Sequence, residues 1–403
     1  MVNEMNEPFL SAIPIINQLE DSGFKAYFVG GSVRDYLLNR PISDVDIATS
    51  ATPYEVKEIF PRTVDIGIEH GTVLVLFQNQ SYEVTTFRTE AEYQDYRRPK
   101  EVAFIRNLDD DLKRRDFTMN AIAMDRYGKL IDPYDGQSAI RKKVIQTVGS
   151  PHERFQEDAL RIMRAVRFVS QLSFSVDDET LQAVIKLVPL LKNIAVERIR
   201  SEFEKLLVGE NGNNAIRLLL DTYLFEYLPG LKKHKSELEK VASYSFRGLS
   251  KIEMWSLLLF TLELKDKSIE YFLREWKLPV KEIREIQQVL IYLVKRLERE
   301  WSIYDLYSAG RAVLISTEKL NSVLKGLTEM DSLSYWLLKY DQLPIKQRNE
   351  IHVTGTDIME WFDSEGGPWL KDTLSKIESA ILTGDVPNDK EMIKEWLIRC
   401  SQK

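Results

Sequence analysis

The sequence predicts an α+β fold, in which a head of mixed strands and helices precedes an all-α remainder. Two observations carry this prediction. Before residue 150, short runs of β-branched and aromatic residues alternate with Gly, Pro, Asn and Asp turns, which is typical of strands. After residue 150, apolar residues recur at helical spacing almost without interruption. The length of 403 residues suits about two to four domains.

The individual elements follow from these patterns. Strands are predicted at 26–29, 73–77, 82–87 and 121–124, and helices between them at 32–38 and 53–59. Ser150, Pro151 and Glu153 form a helix-start signal. An apolar face from Ile216 to Leu228 predicts one helix that Pro229 ends. Further helices are predicted at 252–264, 268–276, 281–300 and 370–382.

The composition excludes several protein classes. Hydrophobic residues make up 44% and charged residues 29%, so a disordered chain is excluded, and 18 unevenly spaced glycines exclude a collagen-like chain. The single cysteine, Cys400, cannot form an internal disulfide, and four scattered histidines do not predict a zinc site. Neither a signal peptide nor a membrane span is predicted. We therefore expect a cytoplasmic protein with no membrane partner.

A glycine turn predicts a phosphate-binding element in the head. Gly30, Gly31 and Ser32 follow an apolar strand and open a helix. Backbone N–H groups at such a turn can approach a phosphate closely, and the helix dipole favours an anion there. A tight turn with no ligand is the alternative, because many strand-to-helix turns contain two glycines.

Two aspartates predict a magnesium site. Asp44 and Asp46 are two residues apart, so in a strand they would share one face while Val45 and Ile47 are buried on the other. Adjacent carboxylates repel each other unless a cation lies between them. Mg²⁺ prefers such oxygen ligands together with substrate phosphates, and it can activate a hydroxyl and stabilise a leaving pyrophosphate. A solvated turn or strand edge is the alternative.

These motifs together carry a family resemblance. The segment GGSVRDYLLNRPISDVDIAT, with RRDFTMNAIA at 114–123 and DPYDG at 132–136, resembles the class II tRNA nucleotidyltransferases of the DNA polymerase β superfamily. The related poly(A) polymerases share the motifs. The resemblance implies a polymerase β-like catalytic head (1–140), a base-recognising neck (141–210), a body (211–300) and a tRNA-binding tail (301–403). It also implies CCA addition to tRNA from CTP and ATP with Mg²⁺, and a homodimer.

The resemblance assigns further residues to the head. Asp44 and Asp46 would be the catalytic metal ligands, and either Glu83 or Asp116 would supply a third carboxylate. The resemblance implies that the triphosphate of the nucleotide is bound by Gly31, Arg34 and Arg115. Arginine suits triphosphate oxygens because its guanidinium presents a planar fork of donors.

The segment after residue 156 predicts base recognition. Asp158, Arg161, Arg164 and Arg167 are spaced by three, which on a helix forms a slowly drifting stripe. A surface helix with an exposed salt bridge is the alternative. A carboxylate only accepts hydrogen bonds and a guanidinium only donates them. Asp158 could accept from the amino group of cytosine or adenine while Arg161 donates to the ring nitrogen, and uracil and guanine would be mismatched at both.

The EDxxRxxRAxRF motif of the resembling family supports that assignment, and it makes Arg164 and Arg167 further nucleotide ligands. AVERIRSEFEKLL at 195–207 is similar to the next family motif, for which we predict a structural role in buttressing the base-reading helix. The polar stretch from Thr89 to Asn107 predicts a mobile loop that in the resembling enzymes helps the change from CTP to ATP; a disordered surface loop is the alternative.

Several functions stay open from the sequence. A CC-adding, an A-adding or a poly(A) polymerase would use the same head, and a non-catalytic RNA-binding protein could retain the fold. The net charge of −7, from 55 Lys and Arg against 62 Asp and Glu, excludes a uniformly basic nucleic-acid binder. It does not exclude tRNA as a partner, because Arg34, Arg115 and Arg161 concentrate positive charge at the predicted site.

Overall fold

The structure is a computed structural model that describes residues 5–90, 93–94, 98–99, 102–327 and 331–401. It divides into two compact units, Met1–Ala242 and Ser243–Lys403. Every described strand lies in the first unit, and the described part of the second unit is helical. The α+β fold class is therefore confirmed. The finer predicted boundaries at residues 140, 210 and 300 stay predictions.

One mixed sheet forms the framework of the first unit. The strands are β1 (Ala26–Val29), β2 (Asp46–Thr49), β3 (Thr63–Gly67), β4 (Thr72–Phe77), β5 (Gln80–Thr86), β6 (Arg88–Glu90), β7 (Tyr93–Gln94), β8 (Arg98–Pro99), β9 (Val102–Phe104), β10 (Ala123–Met124), β11 (Leu130–Ile131), β12 (Val144–Ile145) and β13 (Ser175–Val176). The large sheet has the order β11-β10-β1-β2-β5-β4-β3. Within it, β2 and β5 are parallel, whereas β1 and β2 are antiparallel.

Helices surround this sheet and continue beyond it. The helices of the first unit are α1 (Glu7–Asp21), α2 (Gly31–Leu37), α3 (Pro53–Ile59), α4 (Leu108–Lys113), α5 (Gly136–Lys142), α6 (Pro151–Glu157), α7 (Leu160–Leu172), α8 (Asp178–Leu187), α9 (Val196–Leu207), α10 (Gly212–Asp221) and α11 (Lys235–Ser243). Short 3-10 turns cover Ile68–His70, Thr118–Asn120, Val188–Asn193 and Leu224–Tyr227. Val29, Ala48 and Phe87 belong to the buried cluster beneath the sheet.

Local chemistry explains where predicted and observed elements agree. The strand at Ala26–Val29 and the helix at Pro53–Ile59 have the predicted bounds. The helix begins at Pro53 because Thr52 and Glu55 form a capping box, which satisfies two N–H groups at the helix start. The predicted helix up to residue 228 is wrong beyond Asp221, because Tyr223 adopts a left-handed conformation with φ 57° and a 3-10 turn follows.

The polar stretch from residue 89 to 107 is only partly described. Its ends do not form a loop, because β6 pairs antiparallel with β9, and inside it β7 pairs with β8. Residues 91–92, 95–97 and 100–101 of the predicted mobile loop lie outside the described residues.

The second unit is a helical assembly with its own core. Its helices are α12 (Lys251–Thr261), α13 (Lys267–Glu275), α14 (Val280–Glu298), α15 (Ile303–Lys325), α16 (Asp331–Asp341), α17 (Gly355–Phe362), α18 (Pro368–Thr383) and α19 (Lys390–Ser401), with a 3-10 turn at Arg348–Glu350. The α15 helix is interrupted at Gly310, where φ is 74°. In the described part of the chain, no helix has the length and apolar character needed to cross a membrane.

Candidate active site at the junction of the head sheet and helix α7

A glycine turn joins β1 to α2 at the centre of the site. Gly30 has φ 74° and ψ −136°, a conformation that side chains rarely adopt. The Ser32 hydroxyl donates to the Val29 carbonyl at 3.0 Å and ties the turn to the end of β1. A Cβ on Gly30 would lie 3.2 Å from the Arg115 guanidinium and 3.5 Å from a carboxylate oxygen of Asp46. The turn therefore needs glycine for its conformation and for the space beside these two charged groups.

Asp46 lies next to this turn, and the Glu83 and Asp44 carboxylates act on it. The strand β2 begins at Asp46, so the prediction that Asp44 and Asp46 both lie in a strand is wrong: Asp44 precedes it and is exposed. Val45 and Ile47 are buried on the opposite side, as the alternation predicts. Asp46 stands in register with Glu83 of the neighbouring parallel strand β5, so the two side chains share one face of the sheet.

The electrostatics of Asp46 show how these carboxylates act on one another. Burial, the Glu83 carboxylate and the Asp44 carboxylate raise the pKa of Asp46 from 3.8 to about 6, and the Arg115 guanidinium opposes this rise. The ionised form of Asp46 is thus destabilised by its own surroundings. A cation bound at these oxygens would relieve that cost.

These residues fit a hydrated magnesium ion. Among the described residues, no group of three His, Cys, Asp or Glu side chains is close enough to form a complete protein cage for a metal. Mg²⁺ does not need one, because it keeps several waters and is commonly held by one or two carboxylates plus substrate phosphates. Asp44 and Asp46 could supply hard oxygen donors for that arrangement.

The two candidates for a third carboxylate have different environments. Asp116 accepts from the Phe117 N–H at 2.8 Å, from the Asn120 amide at 3.1 Å and from Arg164 Nε at 2.7 Å. Although burial raises its pKa, the Arg164 guanidinium and Asn120 hold the pKa of Asp116 well below its usual range. Asp116 thus positions Arg164, whereas Glu83 is the carboxylate that faces Asp46 across the two strands.

Arg34 is held in place by side chains of the head. Its guanidinium donates to both Asp35 oxygens at 3.0 and 2.9 Å and to the Asn120 side-chain oxygen at 2.8 Å. It also lies 5.2 Å from the centre of the Phe168 ring. A Cβ on Gly31 would be 3.6 Å from it, so Arg34 reaches back over the glycine turn.

A buried carboxylate that the sequence did not single out anchors Arg115. Asp111 is only 1% exposed and accepts from Arg114 at 2.9 Å, from Arg115 at 3.1 Å and from the Arg88 N–H at 3.3 Å. Burial raises its pKa, but the two guanidinium groups outweigh burial and lower it. In the sequence Asp111 ends a run of three aspartates that resembles ordinary acidic residues at a helix start, so only its burial identifies it.

The predicted base-reading helix is broken at its start. The structure has α6 end at Glu157 and α7 begin at Leu160, and Asp158 between them is extended, with φ −135° and ψ 103°. The prediction that Asp158 continues the helical stripe is therefore wrong. The break has a local cause, because one Asp158 oxygen accepts from the Leu160 N–H at 3.0 Å, as a residue before a helix does.

Arg161 is buried and donates to acceptors on two neighbouring segments. It is 7% exposed, and its guanidinium donates to Glu157 at 2.6 Å, to the Arg154 carbonyl at 3.1 Å and to the Arg114 carbonyl at 2.9 Å. The alternative of a solvent-exposed salt-bridged helix is wrong at this position. Glu157 was not predicted as a site residue, although it lies next to Asp158 in the motif.

Asp158 also contacts an arginine of another helix. Its second oxygen accepts from Arg198 of α9 at 2.8 Å, whereas Arg161 donates to Glu157 at 2.6 Å. Arg198 belongs to the segment at 195–207 that was predicted to be structural. The sequence carried no signal that this arginine in particular contacts Asp158.

The remaining two arginines of α7 flank Phe168. Arg164 and Arg167 lie 5.6 and 4.1 Å from its ring centre. Arg167 is 7% exposed and its Nε lies 3.1 Å from Glu202. Burial and the neighbouring Arg164 lower the pKa of Arg167 to about 10. Both guanidinium groups therefore lie in one cationic cluster, with Asp116 and Glu202 as counter-charges.

Shared partners connect these residues into one site. The side-chain oxygen of Asn120 accepts from Arg34, and its backbone carbonyl accepts from Arg115 at 3.5 Å. The side-chain amide of Asn120 donates to Asp116, which in turn accepts from Arg164. A cluster of arginines beside two aspartates suits a nucleoside triphosphate with its metal ion, since guanidinium groups bind phosphate oxygens through paired donors. The arrangement can therefore support transfer of a nucleotidyl group.

Comparison with known protein families agrees with this geometry. A family model described as "Poly A polymerase head domain" matches residues 26–146. A model of an RNA- and SrmB-binding site of polymerase A matches residues 173–235, and one of tRNA nucleotidyltransferase domain 2 matches residues 246–397.

Individual relatives match along nearly the whole chain. The chain is 51% identical over 396 residues to the CCA-adding enzyme of Geobacillus sp. (strain WCH70), covering 98% of each chain. It is 48% identical to the CCA-adding enzyme of Listeria monocytogenes serotype 4b (strain CLIP80459), covering 98% of this chain and 99% of the relative.

Solved structures share the fold. The Bacillus stearothermophilus CCA-adding enzyme in complex with CTP is 45% identical, with a TM-score of 0.89 and coverage of 99% of this chain and 98% of that one. The Thermotoga maritima CCA-adding enzyme complexed with tRNA is 21% identical, with a TM-score of 0.61 and coverage of 100% and 97%. At that identity, the second comparison supports the fold alone.

Proposed function

We propose how this chain works from the premise that it belongs to the family of the CCA-adding enzymes, the tRNA nucleotidyltransferases. It adds the 3′-terminal CCA to tRNA from CTP and ATP without a nucleic-acid template. The observation that carries this function is the identity of about half of all residues to CCA-adding enzymes over 98% of the chain. The residue roles below are our proposals, and the contacts described above support them.

The carboxylates mark the place of the reaction. The terminal tRNA hydroxyl attacks the α-phosphate, a new phosphodiester bond forms, and the bond to pyrophosphate breaks. Asp44 and Asp46 would hold Mg²⁺, which when bound activates the hydroxyl and stabilises the charge of the leaving pyrophosphate. Glu83 places a second negative charge beside Asp46, which raises the pKa of Asp46 and would also attract a divalent cation to these oxygens.

The arginines bind the triphosphate. Arg34 and Arg115 flank the glycine turn at Gly31, and Asp35, Asn120 and Asp111 hold the two guanidinium groups in place. Groups that are already oriented lose little entropy on binding, so the site is organised for phosphate in advance. Arg164 and Arg167 extend this positive surface along α7.

Asp158 and Arg161 choose the base. Cytosine and adenine each place an amino donor beside a ring-nitrogen acceptor, which matches an accepting carboxylate beside a donating guanidinium. Uracil and guanine place a carbonyl and an N–H there and leave buried polar groups unpaired, which can reduce kcat/KM by several powers of ten. Arg161 is already held by Glu157 and two backbone carbonyls, so it offers the base a fixed donor.

The partners and location follow from this activity. The substrates are tRNA, CTP and ATP, and an enzyme of tRNA processing is expected in the cytoplasm. We also propose a homodimer. Light scattering coupled to gel filtration tests it against the monomer mass of 46.9 kDa: twice that mass supports a dimer and the monomer mass refutes it.

One assay tests the proposed function. A tRNA that ends at its discriminator base is incubated with Mg²⁺ and CTP, ATP or both. We expect two cytidines with CTP alone, none with ATP alone, and a complete CCA end with both. Cytidines without a final adenosine would identify a CC-adding enzyme. No incorporation by folded protein would contradict catalysis altogether.

A poly(A) polymerase is the second candidate, because the head matches a family model of that description. It would extend the same tRNA with a long adenosine tail from ATP alone. The same assay therefore separates the two activities, and an adenosine tail would overturn the CCA assignment.

A further inference from the structure

We propose that an exposed apolar patch on strands β3 and β4 is the surface on which the 3′-terminal nucleotide of the tRNA lies while its hydroxyl group reacts. The inference rests on the proposed nucleotidyl transfer to tRNA. The apolar patch consists of Val64 of β3 and of Leu74 and Leu76 of β4. Arg62, just before β3, stands at its margin.

The apolar patch continues a row of side chains that begins at the catalytic carboxylates. Asp46 is opposite Glu83, Glu83 is opposite Leu74, and Leu74 is opposite Val64. Residues opposite one another on neighbouring strands point to the same face of a sheet, and Leu76 joins them because it is two residues beyond Leu74. Three steps between strands make this row about 14 Å long.

The two faces of these strands differ sharply in exposure. Val64 is 44% exposed and Leu76 is 39% exposed, whereas Val73, Val75 and Val84 on the opposite face are fully buried. Exposed apolar side chains that border charged groups are typical of a surface that binds a ligand. The face that carries the catalytic carboxylates therefore also offers an apolar surface beside them.

The direction of the reaction indicates which substrate lies there. In the sheet, β2 has β1 on one side and β5 on the other, and the glycine turn follows β1. Arg34 and Arg115, which we propose bind the triphosphate, lie at that turn. In an in-line displacement the attacking hydroxyl arrives opposite the leaving pyrophosphate. The tRNA end then approaches from the β5 side, where the row of side chains leads onto the apolar patch.

The chemistry of an RNA end matches both the apolar patch and Arg62. An unpaired terminal base can cover apolar side chains with its ring face. The Arg62 carbonyl accepts from the Leu76 N–H at 2.9 Å, which places Arg62 beside Leu76. Arg62 is exposed, and its guanidinium has no partner among the residues that the structure describes. It can therefore bind a backbone phosphate of the tRNA.

A second copy of the chain fits this region less well than RNA. The strand β3 lies at the end of the large sheet, so its outer edge is the place where another strand could pair. The pairing register shifts between Asp65 and Gly67, and the Lys57–Asp65 ion pair adds charge at 2.9 Å. Irregular and charged edge strands resist pairing with another chain.

The test compares Leu76→Gln with a matched control, Leu10→Gln. Leu10 is 44% exposed and lies on α1, which covers the opposite face of the sheet, because the Tyr82 hydroxyl donates to the Ser11 carbonyl at 3.1 Å. KM is measured for CTP and for a tRNA ending at its discriminator base. In L76Q, KM for tRNA should rise about fivefold or more, the lower end of what base stacking supplies, while KM for CTP stays within about twofold. L10Q should leave both values unchanged.

Two binding measurements locate the contact on the tRNA. A tRNA shortened by its discriminator nucleotide should bind L76Q and wild type with equal Kd, because the nucleotide that covers the apolar patch is missing. In Arg62→Gln, the slope of log Kd against log salt concentration for the longer tRNA should decrease by about 0.7, as for the loss of one single-strand phosphate contact. An equal loss of affinity for both tRNAs in L76Q would place the contact elsewhere and overturn the proposal.

The remaining outcomes separate this inference from the proposed function. An unfolded fraction lowers kcat and leaves both KM values unchanged, so unchanged KM for tRNA in L76Q overturns the proposal. So does a rise in KM for CTP alone, or a change of mass on gel filtration that L10Q does not share. If wild type adds cytidine and L76Q matches it, only the apolar patch is refuted. If wild type adds none, the proposed function itself fails.

Discussion

Replacement of Asp46 by asparagine should stabilise the metal-free protein at neutral pH. Burial and the Glu83 and Asp44 carboxylates raise the pKa of Asp46 from 3.8 to about 6. In the folded state the carboxyl therefore keeps its proton up to about pH 6, whereas in the unfolded chain it releases it near pH 4. The native state binds more protons across this window, so unfolding becomes easier as the pH rises through it.

The size of the effect follows from that difference in pKa. A gap of about 2 units, at 1.36 kcal/mol per unit, would give about 3 kcal/mol for a fully desolvated group. Because Asp46 is half-buried, solvent screening reduces this to about 1–2 kcal/mol. D46N has no ionisable group here. Its stability relative to wild type should therefore rise by that amount between pH 4 and pH 7.

The assay must report on the head. All seven tryptophans lie in the second unit, so tryptophan fluorescence does not follow the first. Hydrogen exchange of the β2 amides, measured by mass spectrometry at pH 4.5 and pH 7.5, reports the opening of the strand that begins at Asp46. Protection in D46N relative to wild type should increase with pH, and Mg²⁺ should increase protection more in wild type.

A difference between D46N and wild type that does not change with pH would refute this reasoning. It would mean that the neighbouring carboxylates do not destabilise ionised Asp46. Greater protection of wild type at pH 7.5 without Mg²⁺ would reverse the sign and contradict it more strongly.

Three further variants test other parts of the site. Glu83→Gln removes a charge that raises the pKa of Asp46, so the acidic limb of the pH–rate profile for CTP incorporation should move to lower pH; an unmoved limb would separate Glu83 from Asp46. Asp111→Asn removes the shared counter-ion of Arg114 and Arg115, so KM for CTP and KM for ATP should both rise about tenfold while base preference is unchanged. A change in stability with unchanged KM values would mean that Asp111 has only a structural role. Gly30→Ala places a Cβ 3.2 Å from Arg115 at φ 74°, so it should lower the free energy of unfolding by about 1–3 kcal/mol and weaken nucleotide binding. Hydrogen exchange measures the first effect and a CTP titration the second. Unaltered CTP binding would mean that the turn tolerates a side chain.

The sequence predicted those elements whose causes are local. The strand at Ala26–Val29 and the helix at Pro53–Ile59 depend on residue types within a few positions, such as the capping pair Thr52 and Glu55. The helix predicted up to residue 228 failed because Tyr223 takes a left-handed conformation that apolar periodicity cannot reveal.

The site residues likewise separate into those that the sequence predicted and those that only the structure reveals. Motif spacing predicted Asp46 and Asp158 as site residues, and the family resemblance added Arg115. It could not identify Asp111 or Arg198, because their importance comes from burial and from partners distant in the chain. The sequence also did not predict the break between α6 and α7. The arginines keep their helical spacing within α7, and only the backbone of Asp158 leaves the helical conformation.

The central claim is that side chains of the protein, with Asp158 first among them, choose the base. The most direct test measures kcat/KM for CTP, ATP, UTP and GTP with Asp158→Ala and with wild type, on tRNA substrates ending before the first C and before the A. The account predicts that D158A uses UTP and GTP at rates within about tenfold of CTP and ATP, whereas wild type excludes them by a factor of about 10³ or more. An unchanged order of preference in D158A would contradict the claim.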